Sequence, residues 1–259
     1  VPEQSSYASG VPCWADLSSP DVKASVSFYA ALFDWSAIDT QPDDDEGGYR
    51  MFLHKEKPAA GLGDLPPDGR PPVWMSYISV DDIDAVNERV LDAGGNTFMP
   101  PTEVMNFGRT AIFADPEGAV FCVWQAKAHK GAGHTGEVGA MSWTELATRE
   151  PEKAIEFYGK VFGWTADAQE LAGEAHYTSW MLDGKPVAGL MDIDERFEDE
   201  IPPHWMTYFG VENVDAATER VAEIGGIVAV DPQTGGPTRF AVFADPHGSV
   251  FGVIEPFEA

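Results

Sequence analysis

Two carboxylates stand on otherwise apolar stretches, each two positions after a tryptophan: Asp16 in Cys13-Trp14-Ala15-Asp16-Leu17 and Glu145 in Ser142-Trp143-Thr144-Glu145-Leu146. A carboxyl group taken out of water beside an indole favours its neutral form. Its pKa then rises toward the range in which a general base works at neutral pH. The plainer alternative is a strand-end carboxylate that caps a neighbouring loop. Tyr77, Tyr208 and, when protonated, His204 could each donate a hydrogen bond to a substrate carbonyl or enolate. Equally, they could be amphipathic residues that finish a core with the polar tip in water.

Other chemistries are poorly supplied. Cys13 and Cys122 are the only cysteines, too few for a disulfide framework and without the paired spacing of a zinc site. Cys122 has no His or Lys in its own strand to activate it, so a buried, inert thiol is expected. His54, His129, His134, His176 and His247 form no ligand-like spacing, and most lie in predicted loops or turns facing solvent. Neither a glycine-rich phosphate loop nor a nucleophile elbow is present. Arg109 and Arg239 recur at matching positions and are expected to form bracing ion pairs.

Acidic residues outnumber basic ones 43 to 16, a formal charge of −27, which disfavours nucleic acid and anionic membranes as partners. The runs Asp43-Asp44-Asp45-Glu46 and 195–200 are expected as exposed loops. No stretch approaches the ~18 apolar residues of a membrane span, and no basic start leads into an apolar run. The expectation is a cytoplasmic monomer or homodimer whose partner is a small-molecule ligand or substrate.

The elements that must position these residues come in duplicate. Phe28-Tyr29 matches Phe157-Tyr158, Phe33-Asp34-Trp35 matches Phe162-Gly163-Trp164, and Trp74-Met75-Ser76-Tyr77 matches Trp205-Met206-Thr207-Tyr208. Lys57-Pro58 to Gly61-Leu62 corresponds to Lys185-Pro186 to Gly189-Leu190, and Phe113-Ala114-Asp115-Pro116-Glu117-Gly118 to Phe243-Ala244-Asp245-Pro246-His247-Gly248. A match this long and in order marks a duplicated module. The expected division is 1–126, a linker over 127–137, and 138–259.

Within each half a similar set of elements occurs twice. A strand over 11–17 leads to Ser19 as the expected N-cap, with Pro20 at the first helical position. Val22, Val26, Tyr29 and Phe33 then repeat at the helical period. Strands are expected near 48–54 and 60–64, and a second round opens with a strand over 73–80. Its helix carries Ile83, Val86 and Val90 and stops at Gly94-Gly95. Strands near 108–114 and 119–126 are joined across Asp115-Pro116-Glu117-Gly118.

This order of elements, the Phe-Tyr in the first helix and the Asp-Pro-x-Gly hairpin resemble the vicinal oxygen chelate superfamily of glyoxalases, bleomycin-resistance proteins and extradiol dioxygenases. The tandem arrangement, with Pro12-Cys13-Trp14-Ala15-Asp16-Leu17 opening the first module, is similar to actinobacterial glyoxalase-like proteins labelled hydroxylases. The resemblance implies an α+β fold: tandem modules, each of two βαβββ units that form a cupped mixed sheet around a ligand.

Catalytic members of that superfamily hold a metal with His, Glu or Gln on the first strand of a unit and Glu on its last. Matching the repeat puts Trp14, Trp143, Met75 and Met206 at the first-strand positions and Cys122 and Gly252 at last-strand positions. None of these is a ligand for a hard divalent ion. No metal and no cofactor are therefore expected, although a displaced site using Asp16, Glu145 or His204 stays open.

Alternation along strands gives the first cup Trp14, Asp16, Met75, Tyr77, Cys122 and Trp124, and the second Trp143, Glu145, His204, Met206 and Tyr208. Asp16, Glu145, Tyr77, Tyr208 and His204 are the candidate catalytic groups. Trp14, Trp143, Met75, Met206, Cys122 and Trp124 are the candidate ligand-binding wall. Two functions follow: acid–base chemistry on a carbonyl or aromatic metabolite, of glyoxalase-like lyase, isomerase or hydroxylase type, or non-catalytic sequestration of a planar or cationic compound. Pairing of half-modules, within a module or across the two, stays open.

Overall fold

The computed structural model describes residues 4–40, 48–170, 176–194, 201–235 and 238–256, with the side chains of Gln169, Glu170 and His176 excepted. Both acidic runs named above and the side chain of His176 lie outside the described residues.

The first module runs β1 (Pro12–Ser19), α1 (Val22–Phe33), β2 (Ser36–Asp39), β3 (Arg50–His54), β4 (Lys57–Asp64), β5 (Val73–Ser79), α2 (Ile83–Asp92), β6 (Asn96–Val104), β7 (Gly108–Ala114) and β8 (Val120–Ala126). The second repeats it with β9 (Met141–Thr148), α3 (Pro151–Phe162), β10 (Thr165–Glu170), β11 (His176–Leu182), β12 (Lys185–Asp192), β13 (His204–Gly210), α4 (Val214–Glu223), β14 (Ile227–Gly235), β15 (Thr238–Ala244) and β16 (Val250–Ile254).

Each module is one eight-stranded mixed sheet, ordered β2-β3-β4-β1-β5-β8-β7-β6 and β10-β11-β12-β9-β13-β16-β15-β14. Within a unit the first and last strands are parallel, as β1 and β4 are. The two units of a module meet along an antiparallel seam, β1 against β5 and β9 against β13. The half-modules that share a cup therefore belong to the same module.

The cap of α1 differs from the expectation. Asp21, not Ser19, is the N-cap, accepting from the amide of Ala24 at 2.9 Å. Ser19 lies two residues earlier, where its hydroxyl accepts from the Asp21 amide and pairs with Ser25 at 2.7 Å. Two strands escape the pattern reading. β2 is short and mostly exposed. β6 carries Pro100-Pro101, which cannot donate to a ladder, and its register slips between Met99 and Thr102 so that the prolines sit in the irregularity.

The faces opposite the cups pack together. One core joins Ala15, Leu17, Phe28, Tyr29 and Leu62 of the first module to Phe209, Val221, Phe243 and Phe251 of the second. The other joins Ile78, Val86, Phe121 and Val123 to Phe157, Tyr158, Trp164 and Leu190. Each core thus takes the first unit of one module and the second unit of the other. A fully buried phenylalanine contributes about 1.5–3 kcal/mol relative to exposure, so the side chains that each module lends to the shared cores stabilise both modules. At the centre Ser76 pairs with Thr207 at 2.8 Å, and the Thr144 hydroxyl donates to Ser76 at 3.1 Å.

Arg109 reaches Asp84 in the first turn of α2 at 2.6 Å, and Arg239 reaches Asp215 in the first turn of α4 at 2.6 Å. These are the bracing ion pairs expected of the two arginines, and they tie a strand to a helix start. Among the described residues no helix is long and apolar enough to cross a membrane.

Candidate functional site

Alternation along the central strands brings Trp14, Asp16, Met75 and Tyr77 to the concave face of the first sheet, through pairing of Trp14 with Tyr77 and of Asp16 with Met75. The Asp16 carboxylate is the hub. Trp14 Nε1 donates to its Oδ1 at 2.6 Å and the Tyr49 hydroxyl donates to the same oxygen at 2.6 Å. Tyr77 also hydrogen-bonds to it. Burial raises the Asp16 carboxyl above its ordinary value, while the bonds from Tyr49, Tyr77 and Trp14 work the other way. Burial, and then the Asp16 charge, push the hydroxyls of Tyr49 and Tyr77 up as well.

The second cup repeats the constellation with one carbon added to the acid. The Tyr208 hydroxyl donates to Glu145 Oε1 at 3.0 Å, and Trp143 Nε1 donates to the Tyr177 hydroxyl at 2.7 Å. Tyr177 is also bonded to Glu145. Burial raises the Glu145 carboxyl, opposed by Tyr177 and Tyr208. The direction expected for both acids is the one found.

Glycine makes room for each cluster. Asp16 pairs with Gly61 and Glu145 with Gly189. A Cβ on Gly61 would overlap Asp16 Oδ1 and the Tyr49 hydroxyl, and one on Gly189 would overlap the Tyr177 hydroxyl. Tyr49 and Tyr177 were not among the sequence candidates. The signal was available, because each stands eight positions before a Lys-Pro of the repeat, Lys57-Pro58 and Lys185-Pro186.

The remaining candidates are placed unevenly. Met75 and Met206 are half-buried on their cup faces. Cys122 and Trp124 were assigned to the ligand wall, but Cys122 has no exposed surface and Trp124 is 7% exposed. Cys122 lies level with Tyr77 in the neighbouring strand, and burial pushes its thiol up. Trp124 is engaged by the linker, donating from Nε1 to the His129 carbonyl at 2.9 Å. His204 stands level with Ala147, one step beyond the Met206 and Glu145 pair, and its Nδ1 lies 2.8 Å from the Pro202 carbonyl. It is at the rim, apart from the hydrogen bonds around Glu145.

Histidines expected in solvent are not all there. His54 is 9% exposed and buried against Gly139, leaving no room for a Cβ at that glycine. His129 packs edge-on to Trp14, with ring centroids 4.5 Å apart, and burial lowers its pKa to about 4. The linker thereby covers Trp14, which is 3% exposed, whereas its counterpart Trp143 is half-buried.

A metal of the kind superfamily enzymes use does not fit this arrangement. Trp14, Trp143, Met75 and Met206 offer no hard donor, and the ring of Tyr208 occupies the space over Gly252 where a Cβ would have to project. Among the described residues no three His, Cys, Asp or Glu side chains converge as a metal-binding group.

The Glyoxalase/Bleomycin resistance protein/Dioxygenase superfamily model matches residues 14–123 and again 140–253. CFP32 of Mycobacterium tuberculosis, provisionally named a glyoxylase, is 36% identical over 260 residues, covering 99% of this chain and 98% of that protein. The anthracycline biosynthesis protein DnrV of Streptomyces peucetius is 37% identical over 263 residues, covering 96% and 94%. Among solved structures, the Mn(II)-bound glyoxalase of Novosphingobium aromaticivorans aligns with a TM-score of 0.67 at 17% identity, over 96% of this chain and 83% of that one. The 2,3-dioxygenase LapB of Pseudomonas sp. KL28 aligns at 0.64 and 16%, over 97% and 94%. Two matched modules and relatives spanning nearly the whole length place the chain in the glyoxalase, bleomycin-resistance and dioxygenase superfamily.

Proposed function

We propose that the protein binds a small planar, carbonyl-bearing organic molecule in its cups and performs acid–base chemistry on it without a metal. The observation that carries this reading is the carboxylate held between two tyrosines, half-buried at Asp16 with Tyr49 and Tyr77 and buried at Glu145 with Tyr177 and Tyr208. A carboxylate whose conjugate acid has a raised pKa is a stronger base: it can take a proton from a carbon next to a carbonyl, becoming the carboxylic acid, while tyrosine hydroxyls beside it donate to the enolate oxygen that forms. In this reading Asp16 and Glu145 are the bases and Tyr77 and Tyr208, joined by Tyr49 and Tyr177, the donors. Trp14, Trp143, Met75 and Met206 supply the apolar wall, and His204 meets ligand at the rim.

The likeness to an anthracycline biosynthesis protein supports an aromatic ligand, since anthracyclines are planar aromatics with carbonyl groups. Sequestration without turnover is the second reading. It is favoured by the charge of −27, which attracts cations, and by the saturation of both carboxylates with hydrogen bonds inside the protein.

Two probes separate the readings: hydroxyacetone in D2O, followed by proton NMR, and an anthracycline aglycone, followed by quenching of tryptophan emission. Catalysis predicts exchange of the protons next to the carbonyl, slowed roughly 100-fold or more in Asp16→Asn combined with Glu145→Gln, with aglycone binding retained. Exchange unchanged in the double variant would remove both acids from the mechanism. Binding of the aglycone with no exchange in the unsubstituted protein would favour sequestration.

A further inference from the structure

Each module is entered past a glycine that is held in the same way. Gly10 precedes β1 and Gly139 precedes β9, both with positive φ. The Gly10 amide donates to the Ser79 carbonyl at 2.7 Å, and the Gly139 amide donates to the Gly210 carbonyl at 2.9 Å. A tryptophan of the other module donates to each glycine carbonyl, Trp164 Nε1 to Gly10 at 2.9 Å and Trp35 Nε1 to Gly139 at 2.7 Å. The side chain packed against the glycine comes from the last residue of a strand in both copies. It is Leu182 of β11 at Gly10, and His54 of β3 at Gly139.

A leucine suits that place in either charge environment, and a histidine suits it only while neutral. Both ring nitrogens of His54 are buried, and among the described residues neither has a hydrogen-bond partner. An imidazolium there would be a buried cation with neither N–H accepted. The charged and titratable groups facing it are Lys55 on its own hairpin, Asp34 at the end of α1, and His134 and Glu137 of the linker. Lys55 Nζ already holds Glu137 Oε1 at 3.1 Å, and His134 Nδ1 stands 3.7 Å from the same oxygen. Burial lowers the His54 pKa below the ordinary histidine value, Lys55 and His134 act in the same direction, and Glu137 and Asp34 oppose them.

The hairpin of β3 and β4 fastens the linker at three points: His54 against Gly139, Lys55 on Glu137, and the Pro58 carbonyl, which accepts from the Gly133 amide at 2.7 Å. We propose that His54 is an acid-sensitive latch, which at neutral pH clamps the linker to the first module and below about pH 6.5 releases it, and with it the His129 cover over Trp14. A lowered pKa means that the closed joint binds the proton less tightly than the open one. Its hold is complete above the pKa of a free histidine, about 6.5, and is lost as pH falls toward the folded value. The latch does not depend on whether Asp16 moves a proton.

The test is amide hydrogen exchange of the full chain by NMR at pH 7 and pH 5, with Gly10 as the internal control because its joint carries a leucine. Protection at the Gly139 amide is expected to fall roughly tenfold, within the limit of tenfold per pH unit that one linked proton sets, while protection at Gly10 holds. His54→Leu copies the other joint and should make Gly139 protection independent of pH. In Trp143→Phe, acrylamide quenching is expected to rise roughly twofold over the same range, and the rise should vanish when His54→Leu is added. His129, with a pKa of about 4, stays mostly uncharged at pH 5 and does not produce the change. Equal losses of protection at Gly10 and Gly139, no loss at Gly139, a loss that persists in His54→Leu, or quenching that stays constant with pH would each overturn the proposal.

Discussion

The hydroxyl of Tyr29, in the opening helix of the first module, donates to Asp245 Oδ2 in the last hairpin of the second module at 3.0 Å. Trp74 Nε1 donates to that same hydroxyl at 2.9 Å. The duplicate is complete: Trp205 donates to Tyr158 at 2.8 Å, and Tyr158 donates to Asp115 Oδ2 at 3.1 Å. Each aspartate uses its other oxygen to accept amides of its own turn, those of Glu117, Gly118 and Ala119 in one copy and of His247 and Ser249 in the other. The signature Phe-Tyr and the signature Asp-Pro-x-Gly are therefore two ends of one fastening between modules.

Removing that hydroxyl leaves a buried carboxylate oxygen and a buried indole N–H without their partner. Tyr29→Phe and Tyr158→Phe are each expected to cost about 1–3 kcal/mol. The sites lie in separate cores, so their effects should add to within about 0.5 kcal/mol. Because each core draws on both modules, urea unfolding should stay a single transition in all three proteins. Two resolved transitions in the unsubstituted chain would contradict the shared cores.

Glu145 is 8% exposed, and burial raises its pKa above the unfolded value. A raised carboxyl pKa means that the native state binds the proton more tightly than the unfolded chain does. The associated stability is present below the unfolded pKa, about 4.3, and is lost as pH rises through the folded value. Glu145→Gln keeps an acceptor for Tyr208 and never ionises. Its melting temperature should exceed that of the unsubstituted protein at pH 7, with the gap closing toward about pH 4. A gap that stays constant over that range would mean that Glu145 ionises as freely in the fold as outside it.

Gly61 and Gly189 are the space in which the carboxylate and tyrosine clusters sit. Gly61→Ala and Gly189→Ala are expected to destabilise by about 1–3 kcal/mol through overpacking. They should also disturb the tyrosines, seen as a change in near-ultraviolet circular dichroism. Gly63 offers the control: it lies in the same strand and a Cβ there meets nothing closer than Tyr49 Cδ2 at 3.9 Å. Equal losses for the alanine variants at 61 and 63 would detach the effect from the cluster.

Much of this architecture was legible in the sequence, for physical reasons that can be named. Trp14 and Asp16, and Trp143 and Glu145, fall on one face because strand side chains alternate, and Ala15 and Leu17 go to the core on the other. Tyr49 and Tyr177 were missed because a strand with no strict alternation gives no face assignment by itself, so only the repeat could reveal them. β6 was missed because Pro100-Pro101 argues against a strand wherever a bulge is not foreseen. The crossing of the cores could not be read at all. An apolar helix face states that it must be covered, and nothing in Phe28, Tyr29 or Phe33 says that Phe209 and Phe251 of the other module do the covering. For the same reason His129 was placed in solvent, since a polar linker residue carries no mark of the tryptophan it packs against.

The two cups differ most at their tryptophans, and that difference can be measured directly. Trp14 is 3% exposed beneath His129, Trp124 is 7% exposed, and Trp35, Trp74, Trp164, Trp180 and Trp205 are all buried in the cores. Trp143 alone is half-buried. Acrylamide is neutral, so the charge of −27 does not bias its approach. The quenchable part of the emission should belong to Trp143, and Trp143→Phe should abolish most of it while Trp14→Phe leaves it in place. His129→Ala uncovers one face of Trp14 and should restore a quenchable fraction in the Trp143→Phe background. Strong quenching that persists in Trp143→Phe, with His129 present, would mean that the linker does not hold the first cup closed over its tryptophan in solution.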